Sequence, residues 1–227
     1  MSSRDYYNNG KYLAEHSDFL RKADPQKDVT FLVKALGLRK SLCILDVACG
    51  QGRHIEALVK LGYCVDGVDY STSLLKRARE TMKQIPKCSS EFLYSSIETF
   101  SSKKSYDVAY WFFSDLADVS LPKALKSLNC VLKHGGRILI DTDSVFRIVR
   151  YLQEHQQRTF SFDASAMELI DKKNNVSVTY LTVPQWKELM AQYGFRLESV
   201  YGDYDMNPYT IKSPRLIIIA KQVARAE

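Results

Sequence analysis

Short apolar runs alternate with amphipathic segments along most of the chain. The run SLCILDVA (41–48) is apolar almost throughout and ends in an acid and small residues, which is typical of a strand buried on both faces. Helical spacing precedes it over 26–37 and follows it over about 53–61, with a glycine at each helix end. Further strands are predicted over 63–69, 91–95, 106–113, 137–143, 195–203 and 213–221. Strands that alternate with helices predict βαβ units and a mostly parallel sheet.

The pattern departs from this alternation in two places. Residues 144–181 predict one helix and three short strands, an insertion after strand five rather than another βα unit. The last two strands are separated by only about ten residues, too few for a parallel crossover, so the last strand is expected to be antiparallel. We therefore predict a single α/β domain over 1–227, with a doubly wound, seven-stranded, mostly parallel sheet and helices on both faces. Residues 1–25 would form an N-terminal cap, and the 144–181 insertion would lie over the active site.

The composition agrees with one compact domain and makes several classes of protein less favoured. The chain has 227 residues, 45% of them hydrophobic, which suffices for a sizeable core. Its net charge is +6, and the densest basic group, Lys76, Arg77, Arg79 and Lys83, falls on a predicted solvent face of a helix, so nucleic acid is not a favoured partner. The polar N-terminus does not resemble a signal peptide, no apolar run approaches the ~20 residues of a membrane span, and the cysteines lack metal-ligand spacing. We expect a cytoplasmic protein without a metal; its oligomeric state is not predicted.

The residues that carry chemistry follow the first two predicted strands. A glycine turn, Gly50-Gln51-Gly52, separates the first strand from its helix, and Asp46 lies just upstream of it. Asp69 ends the second strand about 20 residues later, a spacing similar to that between glycine turn and ribose-binding acid in dinucleotide folds. Ligands in open α/β sheets bind beyond the carboxyl ends of the strands, where the turn and Asp69 are both expected.

Two classes of ligand are considered for such a site. A dinucleotide fingerprint is G-x-G-x-x-G, and here Ile55 stands at the third glycine. Asp46 would repel a pyrophosphate but suits the ammonium group of an amino acid. S-adenosylmethionine (SAM) has an ammonium and a ribose but no phosphate, so SAM is favoured. A nicotinamide-dependent oxidoreductase is the alternative function. For Asp46 itself the alternative is a structural role, in which it only binds neighbouring backbone amides.

The segment LDVACGQGRH (45–54) resembles the glycine motif of class I, Rossmann-like, SAM-dependent methyltransferases. The likeness continues through GYCVDGVDYSTSLLKRA (62–78), VLKHGGRILI (131–140) and YGDYDMNPYTIKSPRLIIIAK (201–221), and the last of these is similar to a bacterial small-molecule branch. The resemblance implies transfer of a methyl group from SAM to an oxygen or nitrogen of a small-molecule acceptor, with S-adenosylhomocysteine as product. A protein that binds SAM without catalysis is the second alternative.

The resemblance also implies cofactor contacts at particular positions. They are Tyr6 and Tyr12 over the SAM carboxylate; Asp46, Gly50, Gly52 and Arg53 at the methionyl part; Asp69 at the ribose; Tyr70, Ser95, Ser96 and Ile97 at the adenine; and Trp111 and Phe112 beside the sulfonium. Ser96 departs from the family pattern, in which an Asp is common, and a serine would bind the adenine amino group more weakly. Ordinary core packing is the alternative for Trp111 and Phe112, surface packing for the two tyrosines, and a cover over the glycine turn for Arg53.

No motif identifies a general base or an acceptor site. Candidates for the base, which an oxygen acceptor needs, are His16, His54, His155, Asp115 and Asp203. His54 is expected to pack beneath the site, whereas His155 lies in the insertion. The acceptor pocket is expected between the N-terminal tyrosines, the insertion and residues 203–209, with Arg147, Arg150, Tyr204 and Tyr209 as lining candidates. The two arginines suggest an anionic acceptor, although surface positions explain them equally well.

Overall fold

The secondary structure follows the predicted alternation closely. The computed structural model describes residues 24–85, 89–113, 116, 119–155, 159–173 and 176–225. Its helices are α1 (Pro25–Leu36), α2 (Arg53–Lys60), α3 (Thr72–Met82), α4 (Leu121–Val131), α5 (Val145–His155) and α6 (Val183–Gln192). Its strands are β1 (Cys43–Val47), β2 (Cys64–Asp69), β3 (Phe92–Tyr94), β4 (Tyr106–Trp111), β5 (Leu132–Asp143), β6 (Phe160–Asp163), β7 (Glu168–Asp171), β8 (Val176–Thr179), β9 (Phe195–Tyr201) and β10 (Arg215–Gln222).

Seven of the strands form one sheet in the order β3-β2-β1-β4-β5-β10-β9. The first five of these run parallel, and β10 is antiparallel to both β5 and β9, which confirms the predicted sheet. The chain moves outward from β1 to β3 and then crosses back to β4 on the other side of β1. The crevice at this switch point, beyond the carboxyl ends of β1 and β4, is where ligands of open α/β sheets bind.

Helices cover both faces of the sheet, as predicted. On one face α1, α2 and α3 bury apolar side chains that include Leu32, Leu58 and Leu75. On the other face α4 and α6 bury a second cluster that contains Leu128 and Trp186. Burying apolar surface on both faces is the main stabilising contribution in a sandwich of this kind.

Local sequence signals explain where several helices begin and end. The Asp24 carboxylate accepts hydrogen bonds from the first free amides of α1, at 3.0 and 3.3 Å, and Pro25 occupies its first turn. The helix ends at Gly37, whose φ of 59° is left-handed and suits glycine. Ser71 caps α3 through a hydrogen bond from the Leu74 amide, as its position before the helix predicts.

Two element boundaries differ from the sequence prediction. Strand β4 ends at Trp111, because Phe113 has a φ of 51° and a left-handed residue cannot continue a strand. Leu132, predicted on a helix face, has extended backbone and starts β5 instead. The strand then passes through Gly135–Gly136, predicted as a turn, and its pairing with β4 shifts register over this stretch.

The 144–181 segment contains α5 and a separate antiparallel sheet in the order β6-β7-β8, which confirms its predicted helix and strands. Side chains from β8 and from the residues just after it, Val178 and Leu181, pack against the core cluster that holds Trp186. Its place over the active site stays a prediction. Within the described residues, no helix is long and apolar enough to cross a membrane.

Candidate functional site

Most of the predicted cofactor residues that the structure describes lie at or just beyond the carboxyl ends of four adjacent strands. Asp46 is near the end of β1, Asp69 ends β2, Ser95 follows β3 and Trp111 ends β4. These strands are neighbours and parallel, so their carboxyl ends meet at one edge of the sheet. The fold therefore brings together residues that are up to 65 positions apart in the sequence.

The glycine turn between β1 and α2 forms a tight loop that bends back over β2. Ala48, Gly50 and Gly52 all have positive φ, at 55°, 54° and 77°. The Gly50 amide donates to the Asp69 carboxylate at 2.8 Å, and the Cys49 amide donates to the Val68 carbonyl at 3.1 Å. These hydrogen bonds fix the loop to the end of β2. The two candidate cofactor-binding segments, the loop and the end of β2, therefore stay next to each other.

The left-handed backbone at Ala48 predicts a gain in stability on substitution by glycine. Ala48 is exposed, so its methyl group contributes little packing, whereas glycine adopts positive φ without steric cost. We expect Ala48→Gly to raise the free energy of unfolding by about 0.5–1 kcal/mol in urea denaturation. Ala57→Gly, inside α2 at negative φ, is the control and should lower it by about 1 kcal/mol or more. Equal losses in both variants would contradict this account of the loop.

Asp69 is nearly buried and fixed by backbone amides. Its two carboxylate oxygens accept hydrogen bonds from Gly50 at 2.8 Å and from Ser71 at 2.7 Å. Burial raises the pKa of this carboxyl, and the amide hydrogen bonds oppose the shift. The Tyr70 amide also acts on this carboxylate, and because a carboxylate has about four acceptor positions, capacity remains for a ribose hydroxyl.

Asp46 forms a buried polar pair with Tyr110 on the adjacent strand. The two residues are partners across β1 and β4 and are 3% and 0% exposed. Burial raises the pKa of the Asp46 carboxyl, and the nearby Tyr110 side chain opposes the shift. The Tyr110 hydroxyl makes no hydrogen bond of ordinary length to any residue that the structure describes. A carboxylate and a buried phenol oxygen fit the amino-acid end of SAM, because an ammonium has three donors and no acceptor.

The predicted adenine residues surround the end of β3. The Ser95 amide donates to the Asp69 carbonyl at 3.1 Å, which places the loop after β3 beside Asp69. The Ser96 hydroxyl accepts from the Glu98 amide at 3.3 Å, so it stabilises its own turn. Ile97 is buried in the core, and Tyr70 is half-buried next to Asp69.

The aromatic end of β4 is buried on both faces of the sheet. Trp111 is 3% exposed and belongs to the cluster that holds Trp186, while Phe112 is 6% exposed and belongs to the opposite cluster. Phe112 stacks on Tyr204, with ring centroids 5.1 Å apart and an angle of 24°. Both residues have the core packing that was the alternative for them, and they also end a strand at the edge of the candidate site.

His54 is buried beneath the site, as expected from the sequence. Its Nε2 donates to the Asp28 carboxylate at 3.1 Å, and its ring packs edge-on against Phe112, with centroids 5.3 Å apart. Burial lowers the pKa of the imidazole, and the hydrogen bond with Asp28 opposes the shift. The side chain is therefore neutral at neutral pH and is enclosed by protein.

The lowered pKa of His54 predicts a pH dependence of stability. Between about pH 6.5 and the lower folded pKa the unfolded chain binds more protons, so acid destabilises the folded state in that range. We expect the free energy of unfolding to fall as pH drops below about 6.5, and to fall less in His54→Gln. His155→Gln, at an exposed position, is the control. Identical slopes for wild type and His54→Gln would contradict the prediction.

The other candidate bases are placed differently. His155 is exposed at the end of α5, donates to the Tyr151 carbonyl at 2.9 Å and stacks on the Tyr151 ring. Asp203 accepts hydrogen bonds from the Asp205 and Asn207 amides and so organises its own turn. The remaining predicted residues, Tyr6, Tyr12, His16 and Asp115, lie outside the described residues.

The proposed acceptor residues make internal contacts. Arg147 pairs with Asp143 at 2.6 Å, and Arg150 donates to the Ile211 and Lys212 carbonyls. Tyr209 shares a hydrogen bond with Ser144 at 3.0 Å. These contacts connect α5 with the segment between β9 and β10, and they explain both arginines without an anionic acceptor.

The sequence patterns did not predict a buried ion pair that lies near the candidate site. Asp141 in β5 is completely buried and accepts hydrogen bonds from Arg215 at 2.8 and 3.0 Å. It also accepts from the Tyr204 hydroxyl at 3.1 Å and from the Phe113 amide at 2.9 Å. The one available signal was an arginine inside the otherwise apolar run that forms β10.

A cavity of about 270 Å³ lies at the opposite edge of the sheet. Residues near the amino ends of β4 and β5 line it, among them Asp107 and Lys133, together with Arg39 and Lys221. The predicted cofactor residues are not part of its lining, so it is separate from the candidate site.

A family model described as a methyltransferase domain matches residues 44–136. The chain is also similar to the uncharacterized protein MJ1252 of Methanocaldococcus jannaschii, with 24% identity over 212 residues, covering 89% of this chain and 79% of that protein. The putative methyltransferase GWCH70_2453 of a Geobacillus species is 22% identical over 221 residues, covering 84% of this chain and 88% of the relative.

The fold is shared with solved structures. An S-adenosylmethionine-dependent methyltransferase from Clostridium acetobutylicum superimposes with a TM-score of 0.75 at 14% identity, covering 95% of this chain and 99% of that one. The matched family segment contains the glycine loop and the ends of β1 to β4. The glycine loop and the ends of β1 to β4 thus lie in a segment that matches a methyltransferase domain, on a fold that is shared with a solved SAM-dependent methyltransferase.

Proposed function

We propose that this methyltransferase transfers the methyl group of SAM to an oxygen or nitrogen atom of a small-molecule acceptor. The observation that carries the proposal is the Asp69 carboxylate, held by the Gly50 and Ser71 amides at the end of β2. It lies beside a glycine loop and one strand away from the buried Asp46–Tyr110 pair. These groups suit the ribose and the ammonium of one nucleoside.

When bound, SAM supplies an electrophilic methyl group on a positively charged sulfur. Asp46 and Tyr110 would hold the ammonium, Asp69 the ribose hydroxyls, and the loop of Ser95 and Ser96 the adenine. The aromatic end of β4 would stabilise the sulfonium charge. The protein's contribution is mainly alignment, because an in-line displacement needs the acceptor atom held opposite the departing sulfur.

The acceptor side of the proposed site would lie at the insertion. It is built from α5 and the segment between β9 and β10, which are tied to each other by Arg150 and by the Tyr209–Ser144 hydrogen bond. His54 contributes as a buried packing residue and not as the base, since its hydrogen bond to Asp28 and the aromatic rings around it separate it from solvent. An acceptor that is already a neutral amine needs no base.

Calorimetry and labelling test the proposal together. We expect purified protein to bind SAM and S-adenosylhomocysteine and not NADH, and to transfer the labelled methyl group of SAM to a component of a small-metabolite extract. Binding of NADH without SAM would favour the oxidoreductase alternative. Binding of SAM with no labelled product in any extract fraction would favour a non-catalytic SAM-binding protein.

The Tyr110 hydroxyl gives a finer test of the ammonium site. Tyr110→Phe removes one acceptor from the buried pair, so we expect SAM affinity to fall about threefold to tenfold by calorimetry. Tyr106→Phe on the same strand is the matched control, because its hydroxyl binds Asp66 at the opposite end of β4. Equal effects of the two substitutions would argue against an ammonium at Tyr110.

A further inference from the structure

The Asp141 carboxylate connects four parts of the chain at the edge of the candidate site. Its hydrogen-bond donors belong to the second residue after β4 (Phe113), to the segment between β9 and β10 (Tyr204) and to β10 (Arg215). Asp141 itself is in β5 and is 0% exposed. Apolar residues at positions 141 and 215 would fill the same space without the cost of removing charges from water. Packing alone therefore does not explain why Asp141 and Arg215 are paired here.

Phe113 is held in an unusual conformation by this group. Its φ of 51° is rare for an aromatic residue, and its amide donates to Asp141 at 2.9 Å. The guanidinium carbons of Arg53 and Arg215 lie 4.9 and 5.4 Å from the centre of its ring. The ring also stacks on His54, with an angle of 13°. Strained backbone that is fixed by several independent contacts is a feature of functional sites.

The same contacts reach the acceptor side. Tyr204 stacks on Phe112 while its hydroxyl donates to Asp141. Arg215 also binds Asp143 at 2.6 Å, and Asp143 pairs with Arg147 of α5. One continuous set of hydrogen bonds therefore joins the insertion and the segment between β9 and β10 to the end of β4.

We propose that Asp141 and Arg215 are a positioning pair, which sets the aromatic end of β4 (Trp111, Phe112 and Phe113) against the sulfonium of bound SAM. This rests on the proposed function. Phe113 directly follows the other two aromatic residues, so its hydrogen bond to Asp141 fixes the point at which the chain leaves them. The pair links that orientation to the acceptor-side segments, so the methyl donor and the acceptor are aligned by one network.

The discrimination between SAM and S-adenosylhomocysteine measures this positioning. SAM carries a positive charge on sulfur and its demethylated product does not, so a well-placed aromatic face favours SAM alone. We expect Arg215→Lys and Asp141→Asn to lower the preference for SAM over S-adenosylhomocysteine by about threefold to tenfold. A general loss of stability would weaken the binding of both nucleosides equally and leave their ratio unchanged.

Calorimetric titration of each variant with SAM and with S-adenosylhomocysteine gives the test, after thermal denaturation has confirmed that the variant is folded. Arg137→Lys is the matched control, because Arg137 lies nearer the start of β5 than Asp141 and pairs with Glu198 of β9. The ratio of its affinities for SAM and S-adenosylhomocysteine should equal that of the wild type. Tyr204→Phe removes one neutral donor to Asp141 and should lower the ratio of SAM affinity to S-adenosylhomocysteine affinity about twofold to threefold. If the variants at Asp141 and Arg215 do not fold, this variant gives the test.

Unchanged ratios in the folded variants at Asp141, Tyr204 and Arg215 would overturn the positioning pair while leaving the proposed function intact. A wild-type protein that binds neither nucleoside would instead overturn the proposed function, and the positioning pair with it. A reduced ratio in these variants and a wild-type ratio in Arg137→Lys is the expected result.

Discussion

Replacing Asp69 with alanine is expected to weaken SAM binding about 100-fold or more. The substitution removes the proposed ribose acceptor, and a hydrogen bond to a charged group contributes about 1.5–3 kcal/mol. It also removes the acceptors of the Gly50 and Ser71 amides, which fix the glycine loop to β2. Isothermal titration calorimetry with SAM measures the effect directly.

A matched pair of asparagine substitutions separates ribose binding from damage to β2. Asp69→Asn keeps one acceptor oxygen for the loop amides but loses the charge, so a loss of about tenfold or more is expected. Asp66→Asn changes the same residue type on the same strand, where the side chain binds Lys104 at 2.6 Å and Tyr106. SAM affinity in folded Asp66→Asn should stay within about twofold of wild type. If Asp69→Ala kept wild-type affinity, the assignment of the ribose site would be lost.

Removing Arg215 is expected to give the largest loss of stability. Arg215→Met leaves the Asp141 carboxylate buried without its cation, and breaking a buried ion pair at one partner costs about 3–5 kcal/mol. The guanidinium contact with the Phe113 ring is lost at the same time. Urea denaturation at pH 7 measures the change in the free energy of unfolding.

The pH dependence of this variant identifies the carboxylate as the cause. Burial already raises the pKa of Asp141, and Arg215 opposes the shift, so the folded pKa in Arg215→Met should be higher still. The pKa of Asp141 in the unfolded chain is about 4. The variant therefore loses stability as pH rises from about 4 through the higher folded pKa, and it regains this stability when the pH is lowered again. Asp141→Asn added to Arg215→Met should restore most of the loss and remove this dependence. If the free energy of unfolding of Arg215→Met lay within about 1 kcal/mol of the wild-type value, the prediction would be wrong.

The proposed cofactor half and the proposed acceptor half of the site differ in how they are built. Backbone amides and strand ends form the cofactor half, with Asp69 and the glycine loop fixed to each other. Side chains joined across distant segments form the acceptor half, such as Ser144 with Tyr209 and Arg150 with the Lys212 carbonyl. The first therefore depends mainly on the backbone, whereas the second depends on particular side chains.

The sequence alone determined the sheet, its antiparallel last strand and the position of the glycine loop. Strand and helix periodicity, the Ser71 cap and the Gly37 helix end are set by residues within a few positions of each other, so they can be predicted without the fold. The same holds for Asp69, because a strand end about 20 residues after a glycine turn returns to the same edge of a parallel sheet.

Only the tertiary structure decided which side chains meet. The pairing of Asp46 with Tyr110 follows from the register of β1 and β4, and that of Asp141 with Arg215 from the antiparallel insertion of β10 beside β5. The tertiary structure also showed that Arg147 has a partner within the chain. Such contacts join residues far apart in the sequence, and strand order and register, which local patterns do not encode, bring them together.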